Sequence, residues 1–347
     1  MTADLQALSG VRILDFSQVI AGPVATMQLA QLGAEVIKIE HPNGGDMSRE
    51  LMSSARDGMA PAYLTANLGK RSLTLDLKQP AAAEIVHKLA ANADVVVENF
   101  KPGTIERLGF GYEALHAIKP DLIYAAISGF GQSGPRSGLP AFDGAIQAFS
   151  GMMSISGHPE SGPVRAGYFA VDVSTALNAA FAITAALLRK HRTGQGQHLD
   201  ISMLDTAMLM QGAQLSTYLT TGEVPELIGN RSPSHQPTSN VFASANGYVQ
   251  IIAMKENQIS ALLALIGHGD AYNRFNEPAT RIEHSAEIHA MLVPAIAKHT
   301  TQYWLQALTE AGVPVSEIQD YPTVTKDPQF SGRHVFVDVA PSSGAAA

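Results

Sequence analysis

The chain has 347 residues, of which 46% are hydrophobic and 16% are charged, and its formal net charge is −8. This composition is typical of a globular protein of about two domains, and the negative charge argues against nucleic acid as a partner. The absence of cysteine excludes disulfides, thiolate metal sites and cysteine nucleophiles.

The first 40 residues predict a βαβ unit of a parallel sheet. Val11–Phe16 and Glu35–Glu40 have the apolar composition of buried strands, and residues 23–32 predict a helix that begins with proline. This order favours a right-handed, Rossmann-like crossover. Gly22 after the first strand and Glu40 at the end of the second match part of the pattern of a dinucleotide-binding site, but the Gly-x-Gly-x-x-Gly turn is absent. We therefore expect the fold without a nicotinamide dinucleotide.

The next segments offer candidates for binding an anionic ligand. Lys70 and Arg71 begin a predicted strand with alternating leucines, so they form either a solvated surface pair or a phosphate contact. After a helix over residues 81–91, the buried strand 94–98 is followed by an amide, an aromatic ring and two cations. These are Asn99, Phe100, Lys101 and Arg107. Ligands of open α/β sheets bind beyond the carboxyl ends of the strands, which is where these residues lie.

Two carboxylates follow in the centre of the chain. The predicted strand 122–128 leads into a loop rich in glycine and proline, after which Asp143 opens a helix. Asp172 stands among apolar residues at the entrance of a long helix predicted over 174–191. Each acid could cap a helix, which is the commoner role of an acid at a helix start, and Asp172 could instead be a nucleophile or a general base.

The C-terminal part of the chain predicts a second, smaller α/β domain. A polar connector over 229–240 is followed by a strand at 247–252 and by helices at 258–266, 286–298 and 301–311. We expect a large Rossmann-like domain over residues 1–215 and the small domain over 216–325.

Several partners are not expected. The N-terminus has no signal-peptide pattern, and the apolar stretch 176–188 is too short to span a bilayer, so we expect a cytoplasmic protein without a membrane partner. The 12 histidines show no metal-ligand spacing, so no metal site is expected.

Five ordered motifs resemble those of the family III CoA-transferases of the formyl-CoA:oxalate CoA-transferase type, which are related to the α-methylacyl-CoA racemases. The motifs are Leu-Asp-Phe-Ser-Gln-Val-Ile-Ala-Gly-Pro at 14–23, Leu-Gly-Ala-Glu-Val-Ile-Lys-Ile-Glu at 32–40, Asn-x-x-Lys-Arg-Ser at 67–72, Asp-Val-Val-Val-Glu-Asn-Phe-Lys-Pro-Gly at 94–103 and Thr-Gly-x-Gly-Gln at 193–197. The resemblance covers residues 8–335.

The resemblance implies roles for both carboxylates. Asp172 would be the nucleophile that moves CoA from an acyl-CoA donor to a carboxylic acid acceptor, through an aspartyl anhydride and an aspartyl-CoA thioester. Asp143 would assist it. CoA thioesters would be substrates, and no permanently bound cofactor is implied.

The resemblance also implies the CoA contacts and the assembly. The CoA-binding residues expected from it and from the sequence pattern are Gln18, Ile20, Lys70, Arg71, Asn99, Phe100 and Arg107. Ile20 stands where the formyl-CoA enzyme has an active-site glutamine, and Gln18 lies two places earlier. Family members form interlocked homodimers and continue beyond this chain, so 326–347 would be a shortened C-terminal return segment.

Two alternatives remain open at this stage. The first is a racemase that deprotonates the carbon beside the thioester; its histidine would fall at Phe142, which cannot carry a proton. The second is a CoA-binding protein without catalytic activity.

Overall fold

The computed structural model of the chain describes residues 6–51 and 59–338. The fold separates into two units, Met1–Leu227 and Ile228–Ala347. The first unit includes the helix Gly212–Thr221, which spans residue 215, where the predicted large domain ends.

The first unit contains a six-stranded sheet in which every pairing is parallel. Its strands are β1 Arg12–Asp15, β2 Glu35–Glu40, β3 Arg71–Thr74, β4 Val95–Glu98, β5 Ile123–Ser128 and β8 Gln197–Ser202, in the order β3-β2-β1-β4-β5-β8. A separate antiparallel pair joins β6 Gly157–His158 to β7 Gly162–Pro163. The predicted α/β fold with a parallel sheet is confirmed.

Helices cover both faces of this sheet. They are α1 Ala21–Gln31, α2 Pro61–Asn67, α3 Pro80–Ala90, α4 Thr104–Arg107, α5 Tyr112–Ile118, α6 Asp143–Phe149, α7 Ala170–Thr193, α8 Met203–Met210 and α9 Gly212–Thr221. Along β5, Ile123, Ala125 and Ile127 face the core beneath α1 and α7. Tyr124 and Ala126 face the opposite core, which also holds side chains of α3 and α5. Burial on both faces explains the continuous apolar run of this strand.

Helix α7 begins at Ala170, earlier than predicted, and has 24 residues. By length and by a mean hydropathy of 1.6 it is long and apolar enough to cross a membrane, contrary to the sequence expectation. One face nevertheless packs into the core of the first unit, where Ala176, Ala179 and Ile183 are fully buried. Alanine on that face lets α7 pack closely against α1 and the sheet.

The second unit has an antiparallel sheet with helices around it. The strands are β9 Ser239–Ala243, β10 Tyr248–Ile252 and β11 Val315–Glu317, in the order β11-β10-β9. The helices are α10 Glu256–Leu265, α11 Pro278–Glu283, α12 Ser285–Ile296, α13 Thr301–Glu310, α14 Tyr321–Val324 and α15 Pro328–Gly332. Its core is built around Phe242, Phe275 and Trp304. Residues 326–338 of the expected return segment lie in this unit, and 339–347 lie outside the described residues.

Candidate active site

A cavity of about 300 Å³ opens at the carboxyl edge of the parallel sheet. The carboxyl ends of parallel strands meet at one edge, so the segments that follow β1, β4, β5 and β8 converge there. The lining brings together five of the predicted site residues, which lie on the segments after β1 and β4 and on α7: Gln18, Ile20, Asn99, Phe100 and Asp172. It also includes Ser128, the last residue of β5, which was not predicted.

The segment after β1 is held in a strained conformation. Val19 has a φ of 70°, in the left-handed region that a β-branched residue rarely adopts. The side-chain amide of Asn99 fixes the preceding residue: its Oδ1 accepts from the Gln18 N–H and its Nδ2 donates to the Gln18 carbonyl, both at 2.8 Å. The Val19 N–H donates to Oδ1 of Asp46 at 3.1 Å. Asn99 therefore positions the cavity wall as well as lining it.

Buried ion pairs contact the backbone of this segment and fix its position. Lys38 lies 2.8 Å from Oδ2 of Asp46 and donates to the Ser17 carbonyl at 2.6 Å. Lys70 lies 3.0 Å from Oδ2 of Asp15. Burial alone would raise the pKa of Asp15, but Lys70 and Lys38 hold it well below its ordinary value. Burial also lowers the pKa of Lys70 to about 8, although Asp15 opposes that shift.

The structure places Lys70 and Arg71 outside the cavity lining, which differs from the expected CoA contacts. Nζ of Lys70 is buried and donates to Asp15, to the Pro23 carbonyl and to Oδ1 of Asn67, so its three protons are used. Arg71 is exposed and pairs with Glu35, the first residue of β2, at the opposite edge of the sheet. Nζ of Lys70 therefore has no proton left for a ligand, and Arg71 does not line this cavity.

Asp172 lies in the first turn of α7 and lines the cavity. Its carboxylate accepts no hydrogen bond from any described residue. Burial, and then the nearby charge of Asp143, raises its pKa to about 7. A carboxylate without hydrogen bonds that titrates near neutrality is suited to act as a nucleophile or a base.

Asp143 caps the start of α7 and not the helix α6 that it opens, which differs from the expected role. Its Oδ2 accepts from the N–H groups of Val171 and Asp172, at 2.8 and 3.1 Å. Nε2 of Gln147 donates to Oδ1 of Asp143, and Oε1 of the same Gln147 side chain accepts from the Ala166 N–H at 2.9 Å. Helix α6 thus fixes the start of α7 and satisfies its free N–H groups, which leaves the Asp172 carboxylate available.

The remaining predicted residues lie around the cavity on the segment after β4. The half-buried ring of Phe100 lines it, followed by the exposed Lys101. Arg107 is exposed at the end of α4, donates to Oγ1 of Thr104 at 3.1 Å and lies outside the lining. Phe142 lines the cavity with 65% of its surface exposed, so no proton-carrying side chain stands at that position.

Ser128 and Met203 line the cavity but were not predicted from the sequence. Met203 follows β8, whose mixture of polar and apolar residues hid its place beside β5. The buried ion pair of Lys38 could have been predicted, because a lysine within an apolar strand needs a partner of opposite charge. Within the described ranges, no group of at least three histidine or acidic side chains could hold a metal ion.

Comparison with known proteins gives a match along nearly the whole chain. The family model described as CoA-transferase family III matches residues 8–346. A succinate–glutarate CoA-transferase of Agrobacterium fabrum is 35% identical over 345 residues, which are 97% of this chain and 86% of that protein. An acetyl-CoA:oxalate CoA-transferase of Acetobacter aceti is 35% identical over 331 residues, covering 94% of this chain and 85% of that protein.

The fold is also similar to a solved structure. A crystal structure of a CAIB/BAIF family protein from Brucella suis superposes with a TM-score of 0.86 at 34% sequence identity. The match covers 94% of this chain and 88% of that one. The overall fold is therefore shared with that protein.

Proposed function

The chain belongs to CoA-transferase family III, and from this premise we propose that Asp172 carries CoA from a donor acyl-CoA to an acceptor carboxylic acid. The single observation that carries the proposal is the carboxylate of Asp172, which lines the cavity without a hydrogen-bond partner among the described residues. Its surroundings raise its pKa to about 7. A carboxylate in this state is more basic, and therefore more nucleophilic, than one in water.

The proposed reaction proceeds by four acyl transfers. A carboxylate oxygen of Asp172 attacks the thioester carbon, the C–S bond breaks, and a mixed anhydride and CoA thiolate form. The thiolate attacks the aspartyl carbonyl, which releases the donor acid and leaves an aspartyl-CoA thioester. The acceptor carboxylate attacks the aspartyl carbonyl of that thioester, the C–S bond breaks, and a second mixed anhydride and CoA thiolate form. The thiolate then attacks the acceptor acyl carbon and displaces the Asp172 carboxylate, which yields the new acyl-CoA and regenerates Asp172. Anhydride and thioester are both activated, so little free energy is lost at each step.

The cavity offers what these steps need. Its walls include Ile20, Ile127, Leu139 and Met203, which exclude water from a hydrolysable anhydride. Helix α1 starts after Ile20 without a side-chain cap, so backbone N–H groups are free there and can stabilise a tetrahedral oxyanion. The glycine-bearing loop that begins at Gly129 can offer further backbone donors.

The remainder of CoA would extend past the segment after β4. Phe100 offers a ring face to adenine, and the exposed cations Lys101 and Arg107 offer charge to phosphate. This placement agrees with the general rule for ligands of open α/β sheets. It also allows a protein of net charge −8 to bind an anionic substrate through a few local cations.

An exchange assay tests the proposal. Succinyl-CoA and acetyl-CoA are incubated with succinate, glutarate, oxalate and mesaconate, and the new acyl-CoA is identified by mass. We expect one or more pairs to exchange with parallel double-reciprocal plots, because the donor acid leaves before the acceptor binds. Exchange of the α-proton of an acyl-CoA with deuterium from solvent, without new thioesters, would instead identify racemase chemistry. CoA binding with neither reaction would identify a binding protein.

The pH dependence of the first step follows from the pKa of Asp172. Only the ionised carboxylate attacks, so kcat/KM for the acyl-CoA is expected to rise with pH and to level off above a midpoint of about 7. In Asp143→Asn the repulsion between the two carboxylates is removed, and the midpoint is expected to move to lower pH while burial keeps it above that of a free aspartate. Measurement of kcat/KM from pH 5 to 9 for both proteins checks this prediction. A rate that falls with rising pH, or an unchanged midpoint in the variant, would contradict it.

The assembly is proposed to be a homodimer. The outer face of α7 exposes Leu177 and Phe181, the latter to 74%. Helix α8 packs against both α7 and α9. Leu209 of α8 is 72% exposed, and Leu219 of α9 is 73% exposed. Large apolar side chains on adjacent helices of a globular protein are typical of a buried interface.

The dimer can be tested with one substitution. Phe181→Arg places a charge on the exposed apolar face, so we expect a dimer of the wild type and a monomer of the variant at micromolar concentration. Light scattering after size-exclusion chromatography measures both masses. Lys88→Glu, on the exposed surface of α3, is the control and is expected to stay dimeric. A monomeric wild type would refute the proposal.

A further inference from the structure

Ser128 has an unusual environment for a buried polar side chain. It is the last residue of β5 and is 6% exposed. Its Oγ is shielded from solvent and has no hydrogen-bond partner among the described residues. Buried hydroxyl groups are nearly always paired, so an unpaired hydroxyl in a cavity wall points to a ligand group that completes the pairing.

The position of Ser128 defines which part of a ligand it can meet. In the sheet order, β5 lies between β4, which leads into Asn99 and Phe100, and β8, which leads into Met203. Side chains alternate along a strand, so Ser128 shares the face of Tyr124 and Ala126, against whose core Phe100 packs. Ser128 therefore lies between the segment that carries Phe100 and the part of the cavity lined by Met203 and Asp172.

On the basis of the proposed function, we propose that the Ser128 hydroxyl binds the amide of CoA nearest to the sulfur. An acyl-CoA with its nucleotide near Phe100 and its thioester at Asp172 must pass its pantetheine arm along this wall. That arm is a chain of methylene groups and secondary amides. A serine hydroxyl can donate to an amide oxygen or accept from an amide N–H, and it can rotate about its Cα–Cβ bond without backbone movement. Asn99, the neighbouring amide side chain, is already bound to the Gln18 backbone.

Calorimetric titration with CoA gives the first test. In Ser128→Ala the Kd for CoA is expected to rise about five- to tenfold, which is the loss of affinity that corresponds to one hydrogen bond. The melting temperature of the unliganded variant is expected to stay at or above that of the wild type, because the hydroxyl has no protein partner to lose. Ser128→Cys, which keeps the size with a weaker donor, is expected to fall between the two.

Truncated donors separate an amide contact from a general disturbance. The N-acetylcysteamine thioester of the acyl group most active in the exchange assay keeps only the amide nearest the sulfur, and the S-pentyl thioester replaces that amide by methylenes. The wild type is expected to prefer the former in kcat/KM, and Ser128→Ala is expected to lose that preference. Ser202→Ala is the matched control: Ser202 pairs with Ser128 across the strands, but its Oγ already accepts from the Asp205 N–H at 3.1 Å.

The outcomes distinguish this inference from the function on which it rests. A Ser128→Ala protein that binds CoA as tightly as the wild type, or that keeps the preference for the amide-bearing thioester, overturns the role of Ser128 while transfer by Asp172 stands. A lower melting temperature with an unchanged Kd would show that the hydroxyl is structural and would also overturn it. A wild-type protein that neither binds CoA nor exchanges acyl groups overturns the proposed function itself.

Discussion

Replacement of Asp172 by asparagine is expected to lower kcat for CoA exchange at least about 10⁴-fold, because the variant keeps the shape of the side chain but cannot form the anhydride. The start of α7 should be preserved, since its N–H groups are capped by Asp143 and not by Asp172. Initial rates of exchange with the best donor and acceptor measure the effect. Asp205→Asn is a matched control, because Asp205 also lies in the first turn of a helix but outside the cavity lining.

The same variant should be more stable than the wild type at alkaline pH. Below the ordinary pKa of an aspartate, 3.8, Asp172 is protonated in both the folded and the unfolded chain, so its charge has no effect on stability. Between 3.8 and about 7 only the unfolded chain ionises, which destabilises the fold as pH rises. Above pH 7 Asp172 is ionised in the folded chain too, and the full free-energy cost of its buried charge is present. Asp172→Asn should therefore gain about 2–4 kcal/mol in the free energy of unfolding at pH 8, and little at pH 4.

Two results would contradict this account of Asp172. An Asp172→Asn protein with more than a tenth of the wild-type rate would show that another group attacks the thioester. A variant that is inactive and also less stable than the wild type at pH 8 would show that the aspartate stabilises the fold, so that its loss of activity would have a structural cause.

Replacement of Lys70 by methionine is expected to lower the free energy of unfolding by about 3–5 kcal/mol, because it removes the cation in direct contact with the buried carboxylate of Asp15. The variant also loses the hydrogen bonds that Lys70 donates to the Pro23 carbonyl and to Oδ1 of Asn67. Urea denaturation at pH 7 measures the change. In the wild type, the lowered pKa of Asp15 contributes stability that is present above the unfolded-state pKa and is lost as pH falls through the folded-state value.

Arg71 provides the matched control for Lys70, because it is the adjacent residue and carries the same charge. Its side chain is 75% exposed in its ion pair with Glu35, so Arg71→Met should change stability by less than about 1 kcal/mol. Equal effects of the two substitutions would contradict the buried role of Lys70. A large loss of CoA affinity in a stable Lys70→Met protein would instead restore the phosphate contact that the sequence suggested.

Much of the fold could be predicted because buried parallel strands leave a simple pattern. The apolar runs of β4 and β5 are buried on both faces, so they were recognised from composition alone. β8 was missed since its residues from Gln197 to Asp200 are partly exposed and give no continuous apolar run. The start of α7 was placed too late because its cap comes from Asp143, which is distant in sequence.

The site was predicted less completely for a related reason. The carboxylates and the segment after β4 could be found from the resemblance and from their position at strand ends. Which of the charged side chains are buried could not be predicted. Lys70 and Arg71 are neighbours of the same charge in the sequence, yet one is enclosed by oxygen atoms and the other is exposed. Ser128 carried no signal, since a serine at a strand end is common and only its lack of a partner in the structure marks it.

The most direct test of covalent catalysis by Asp172 is the mass of the peptide that contains this residue after incubation with an acyl-CoA and rapid quenching. We expect a CoA adduct on that peptide, removable by hydroxylamine and absent from Asp172→Asn. Reduction of the adduct by borohydride is expected to convert the Asp172 side chain to an alcohol. An enzyme that exchanges acyl groups at its full rate while no adduct forms on this peptide, or while one forms on another residue, would contradict covalent catalysis by Asp172.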